Sequence, residues 1–154
     1  MFIGASPGSV GGGVKTTTFS IYVIMVMSYL RGKQHVEAFG RAIPARITSK
    51  AVATITMAFT LVVVSTTMLL VLQERPNRAE ENRYFLNWLF EAVSAFGTVG
   101  LSTGVTPDLT TGGKLIIILT MFAGRLGPLG LAISLFGREI EQRYKYPEEN
   151  VMIG

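Results

Sequence analysis

The sequence contains no cysteine, and that absence removes disulfide scaffolds, thiolate zinc sites and cysteine nucleophiles together. It also leaves the redox compartment unreadable. Charge is scarce: 16% of the 154 residues are Asp, Glu, Lys or Arg, against about 25% in ordinary soluble domains. With 49% hydrophobic residues and a mean hydropathy of +0.43, the composition is not that of a typical soluble domain. The one histidine, His35, has no second ligand at metal-binding spacing and is assigned no metal role. The formal charge of +4 raises the question of nucleic acid. Position answers it, because Arg31, Lys33, Arg41, Arg46 and Lys50 against Glu37 place a surplus of four positive charges in one loop. No nucleic-acid partner is expected.

What the sequence does have is long apolar runs. Residues 51–72 (AVATITMAFTLVVVSTTMLLVL) carry no charge, and a helix of that length covers roughly the 30 Å of a bilayer core. Residues 115–136 (LIIILTMFAGRLGPLGLAISLF) form a second such run, holding Arg125 near its middle and Gly124, Gly127, Pro128 and Gly130 around it. This second span is expected to kink. Residues 16–30 (TTTFSIYVIMVMSYL) are shorter and make a partial span. Buried core helices of a soluble protein are the alternative for one such run, and two runs in so short a chain argue against it. A signal peptide does not fit either, because Met1 leads into glycines and Pro7 without a basic segment followed by an apolar one. Lysine and arginine near span ends favour the cytoplasm, so the basic loop is placed inside. The loop over residues 73–83 balances Arg75, Arg78 and Arg83 against Glu74, Glu80 and Glu81 and suits the outer face.

Residues 84–96 (YFLNWLFEAVSAF) are apolar, but a helix of 13 residues reaches only about 20 Å. It cannot cross a bilayer. The polar turn GTVGLSTG over 97–104 follows, so the chain is expected to enter, turn and leave on one side. Irregular backbone at membrane depth must face protein or water, because unpaired amides in hydrocarbon cost several kcal/mol each. A helix ending at Phe96 would aim its negative dipole end at such a cavity. Thr98, Val99 and Gly100 could there offer carbonyl oxygens in place of an ion's water shell, with glycine supplying the backbone freedom. That chemistry suits a dehydrated monovalent cation. An ordinary re-entrant helix with a glycine turn is the structural alternative.

Span, half-helix, Thr-Val-Gly turn and span together resemble the repeating unit of potassium channels, although Leu101 stands where those channels usually have tyrosine. The segments FEAVSAFGTVGLSTGVTPDLTTGGK and GRLGPLGL resemble the last repeat of the Trk/Ktr/HKT superfamily of potassium transporters, most of all the TrkH/KtrB-type membrane subunit. The resemblance implies an all-α membrane protein in which four repeats surround one pore, each giving a filter strand with a key glycine. It makes Gly100 that glycine, with potassium at the carbonyls of Thr98 and Val99. It also divides the chain into the end of repeat three (1–32), a cytoplasmic basic loop (33–50), repeat four (51–137, with spans 51–72 and 114–137, pore helix 84–96 and filter 97–104) and a cytoplasmic tail (138–154).

The opening MFIGASPGSVGGGVKTT is not a phosphate-binding loop, because Val14 separates Gly13 from Lys15 and a membrane segment follows. A flexible tail is one reading. The resemblance supports another, an interrupted span whose intramembrane loop gates the pore, with Gly11, Gly12 and Gly13 as gate residues and Lys15 at the edge. Arg125 costs about 2.5–3.5 kcal/mol at mid-bilayer, so it should face a pore or a partner; the resemblance makes it an electrostatic barrier below the filter. A structural ion pair is the alternative there. Glu91 either pairs with a basic group of another repeat or tilts to the outer interface. Asp108 and Lys114 belong at the outer mouth, and Tyr84 and Trp88 fit an interfacial belt or internal packing.

The resemblance further implies no enzyme activity and no cofactor, potassium being the cargo. It implies a bacterial inner-membrane location with the C-terminus cytoplasmic, and docking to a TrkA/KtrA-type nucleotide-binding ring. A filter needs four strands, so the missing repeats or other copies of the chain are expected to complete it. A non-conducting membrane fragment or assembly module, and a small homotetrameric cation channel, are the other readings.

Overall fold

The computed structural model describes residues 1–6, 8–9, 11–32, 36–38, 40–73, 81–127 and 130. Four helices dominate: α1 (Thr16–Leu30), α2 (Ala45–Leu72), α3 (Glu81–Gly97) and α4 (Thr111–Leu126). A two-residue antiparallel ribbon, β1 (Glu37–Ala38) and β2 (Arg41–Ala42), joins α1 to α2 in the register Glu37 to Ala42 and Ala38 to Arg41. The basic segment is therefore a hairpin running into a helix, not a featureless loop.

Helix α2 has 28 residues, about 42 Å, and among the described residues it is the helix long and apolar enough to cross a membrane. It starts at Ala45, so Arg46 and Lys50 occupy its first turns and continue the helix past the polar end of the apolar run. The apolar helix α1 has 15 residues and packs on α2. Helix α4 starts at Thr111 and stops at Leu126, where Gly127 takes φ +79°. The last turns of the span expected over 114–137 and the tail expected over 138–154 lie outside the described residues, as do Lys33 and His35.

Helices α2, α3 and α4 pack against one another around two clusters. One gathers Leu69, Trp88, Ala92, Ala95, Leu109 and Ile117; the other gathers Val14, Ala58, Val62 and Phe96. Alanines at these contacts let backbones approach closely, as helices in lipid require. Ser65 and Thr120 share a buried hydroxyl bond of 2.9 Å between α2 and α4. At the far end, Gln73 caps α2 and ties it to the start of α4: its Nε2 donates to Thr110 Oγ1 at 3.2 Å, and its Oε1 accepts from the Thr110 amide at 3.4 Å. Thr110 Oγ1 in turn accepts from the Gly113 amide and caps α4. The Tyr84 hydroxyl donates to the Gln73 carbonyl and its ring meets Trp88 edge-on. Trp88 is buried, so it packs internally.

Candidate functional site

The site begins where α3 stops. The Thr98 amide donates to the Ala95 carbonyl and the Val99 amide to the Ser94 carbonyl, both at 3.0 Å. This pair of bonds is the Schellman closure of a helix C-terminus, which needs one residue in the left-handed region. Thr98 is that residue, with φ +51°. A β-branched side chain is uncommon there, and such a conformation costs roughly 1–2 kcal/mol. The first residue of the expected filter is thus also the cap of the half-helix, and the negative end of the α3 dipole lies at residues 98–100.

Beyond the cap the chain is irregular and exposed from Val99 to Gly104. Gly100 takes φ +79°, a conformation glycine adopts without strain. Among the described residues, no hydrogen bond is directed at the carbonyls of Thr98, Val99 or Gly100, whereas the Leu101 carbonyl accepts the Ser94 hydroxyl at 2.6 Å.

Glu91 lies one helical turn before Ser94 and is only 5% exposed. Its Oε1 accepts the Ser102 hydroxyl and, at 3.1 Å, the Thr103 amide; its Oε2 accepts the Thr106 hydroxyl at 3.2 Å. Within this chain the Glu91 carboxylate is held by three donors of the loop that follows α3.

On the other side of the α3 terminus lies the glycine-rich opening. Its two arms are joined by Gly4 amide to Val14 carbonyl (2.8 Å) and Val14 amide to Phe2 carbonyl (3.1 Å). Gly12, Gly13 and Val14 are buried, and Gly11 is half-buried. The Gly12 amide donates to Thr98 Oγ1 at 3.0 Å, and the Gly13 amide to the Gly124 carbonyl at 3.2 Å. Phe2 stacks on Phe96, ring centroids 5.6 Å apart. Lys15 Nζ donates to the carbonyls of Ser9 and Gly11, each at 2.9 Å, and so closes the loop on itself.

Helix α4 completes the junction through Gly124, where an added Cβ would overlap the Phe96 carbonyl oxygen. Arg125, next in sequence, is exposed on the last turn of α4. The structure thus brings Thr98, Gly12, Gly13 and Gly124 into one hydrogen-bonded junction, with Arg125 beside it. Asp108 and Lys114 are exposed, away from that junction in the 105–114 segment. Glu91, Ser94, Gly124 and Gln73 have structural parts that sequence reasoning did not give them. The signal available for Glu91 and Ser94 was their spacing of one helical turn, facing a run of hydroxyl residues in 102–106.

The profile of the family described as TrkH, cation transport protein, matches residues 1–142. The chain is 43% identical to the Ktr system potassium uptake protein D of Bacillus subtilis (strain 168), over 100% of this chain and 32% of that protein. It is 42% identical to the potassium/sodium uptake protein NtpJ of Enterococcus hirae, over 100% of this chain and 34% of that protein. To the Ktr system potassium uptake protein B of Vibrio alginolyticus it is 38% identical, over 100% of this chain and 32% of that protein. The chain spans about a third of the length of these curated relatives.

Proposed function

The chain belongs to the TrkH family of cation transport proteins, and from that premise we propose that it forms the C-terminal part of a potassium uptake subunit and lines one side of its pore. In this reading α2, the half-helix α3 with its filter loop, and α4 are the last repeat, and residues 1–30 close the repeat before it. Thr98, Val99 and Gly100 offer carbonyl oxygens to a potassium ion that has shed its water. The observation that carries the reading is the irregular backbone of Thr98, Val99 and Gly100, whose carbonyls receive no hydrogen bond among the described residues and which lies at the negative end of α3.

Gly11, Gly12 and Gly13 form the gate segment below the filter, and Arg125 puts a positive charge beside it that passing cations must overcome. Opening the path means breaking the bonds from Gly12 to Thr98 and from Gly13 to Gly124. Two of the relatives are named as parts of a Ktr system, and this supports assembly with other subunits, including a cytoplasmic ring of TrkA/KtrA type. With Arg41, Arg46 and Lys50 at the inner surface of a bacterial plasma membrane, an α4 that runs from outside to inside puts the C-terminus in the cytoplasm.

The test places this chain in the aligned third of the Bacillus subtilis protein D and measures rubidium uptake in bacteria lacking potassium uptake. Uptake is expected in the chimera, absent with Gly100→Asp, and less dependent on gate opening with Arg125→Ala. An inserted Gly100→Asp chimera with undiminished uptake would overturn the filter assignment. Uptake by the 154-residue chain alone would instead identify an assembly of copies.

A further inference from the structure

We propose that Glu91 is a positioning residue that sets the ion preference of the filter by fixing the length of the tether behind it. The proposal rests on the transport reading above and adds to it a residue outside the filter that controls the filter's dimensions. One face of α3 holds both ends of residues 101–106: Ser94 donates to the Leu101 carbonyl at 2.6 Å, and Glu91 takes the Ser102 hydroxyl, the Thr103 amide and the Thr106 hydroxyl. Residues 98 and 99 are held by the helix end. The row 98–100 is therefore suspended between two anchorages on the same helix, with its carbonyls free. Within this chain nothing lies within 4 Å of the place a Gly100 Cβ would occupy, so the contacts the chain itself gives to the row are the two anchorages.

The residue type follows from the partners. Three donors converge on Glu91, and an ionised carboxylate is an acceptor at both oxygens. Ser102 Oγ also accepts from the Gly104 amide at 3.0 Å and lies 2.7 Å from Thr106 Oγ1, so Thr106 can turn its single hydroxyl proton from Glu91 to Ser102. Glutamine therefore keeps the reach: its Oε1 serves Ser102 and Thr103, and its NH2 meets Thr106 turned to accept. Aspartate keeps the charge but is one methylene shorter and cannot span to the loop without pulling it toward α3. Selectivity in a carbonyl site depends on the number and spacing of its oxygens, so shortening the tether changes which ion fits. If length matters, aspartate is the damaging change; if charge matters, glutamine is.

Two readouts on the variants decide this. In the chimera, Glu91→Asp is expected to lower the preference for rubidium over sodium by about tenfold, the scale of losing one hydrogen bond to a charged group, while Glu91→Gln stays within about threefold. A loss of folding alone would reduce uptake of both ions and leave their ratio unchanged. In the 154-residue chain held in lipid discs, amide exchange at Thr103 is expected to rise in Glu91→Asp while exchange in α2 does not change. Unchanged exchange at Thr103 overturns the tether whatever the flux shows. Raised exchange with an unaltered ion ratio overturns the assignment of ion preference. If Glu91→Gln is the variant that loses preference, the charge and not the length is responsible and the proposal fails. A wild-type chimera that carries no rubidium counts against the transport reading, and the exchange result then decides the tether by itself. Should Glu91→Asp not insert, Thr106→Val removes one exposed arm of the same tether and is read in the same two ways.

Discussion

Residues 101–106 and residues 1–14 both bear on the three residues at the end of α3, yet they are held there by different kinds of atom. The first segment is fastened by side chains: a buried carboxylate, a buried serine hydroxyl and the loop's own hydroxyls. The second is fastened mostly by backbone, with amides of Gly4, Gly12, Gly13 and Val14 as donors. A side-chain fastening specifies one geometry, because each partner has a fixed reach. A glycine backbone fastening can be released and remade, since no side chain has to repack when it moves. On the proposed function, the difference would give constancy to the filter side and motion to the gate side of a single helix terminus.

The largest expected effect comes from breaking the gate side at its packing contact. Gly124→Ala places a Cβ over the Phe96 carbonyl oxygen and within 2.8 Å of its carbonyl carbon. Both are backbone atoms and cannot rotate away. Overpacking against rigid structure costs up to about 3 kcal/mol, while alanine in a helix recovers about 1 kcal/mol over glycine. A net loss of about 2 kcal/mol is expected, read as a lower unfolding midpoint in mild detergent. An unchanged midpoint would show that α4 backs away freely and that the junction is looser than the contact implies.

Much of this architecture was legible in advance. The half-helix and the turn after it stood out because a mostly apolar segment of 13 residues cannot cross a bilayer and is followed by three glycines and three hydroxyl residues over 97–104. The partial span over 16–30 coincides with α1. The start of α2 was not legible, because charged residues end an apolar run without ending a helix; Arg46 and Lys50 are good helix formers. The two-residue ribbon is too short to show an alternation. At the site, a left-handed residue between Gly97 and Gly100 would be given to a glycine, and the chain gives it to Thr98. The tether of Glu91 escaped detection because its partners lie 11, 12 and 15 residues downstream across an irregular turn, a distance no helical or strand period connects.

The next effect tests the side-chain bond that joins the glycine-rich opening to the end of α3. Thr98→Val keeps the branched shape at φ +51° and removes the hydroxyl that accepts from the Gly12 amide. Gly12 is buried, so its amide is left without a partner. A destabilisation of about 1.5 kcal/mol is expected, with amide exchange rising at Gly12 but not at Thr103. A rise at both would mean that the two fastenings act as one unit and that the contrast between them is false.

The smallest effect lies on the filter side. Ser94→Ala removes the donor to the Leu101 carbonyl, an exposed residue to which water has access, so the loss is expected to be about 1 kcal/mol. The informative quantity is where the loss is felt. Glu91 still holds the Thr103 amide and the hydroxyls of Ser102 and Thr106 in this variant. If side chains fix this segment independently, Thr103 stays protected and only the chain near Leu101 loosens. In the transport assay the Leu101 carbonyl, next to the filter row, then also lacks its donor, and the preference among cations shifts while the protein remains inserted. Protection lost as far as Thr106 would instead make Ser94 the anchor on which Glu91 depends, and the constancy of the filter would rest on one hydroxyl at the end of α3.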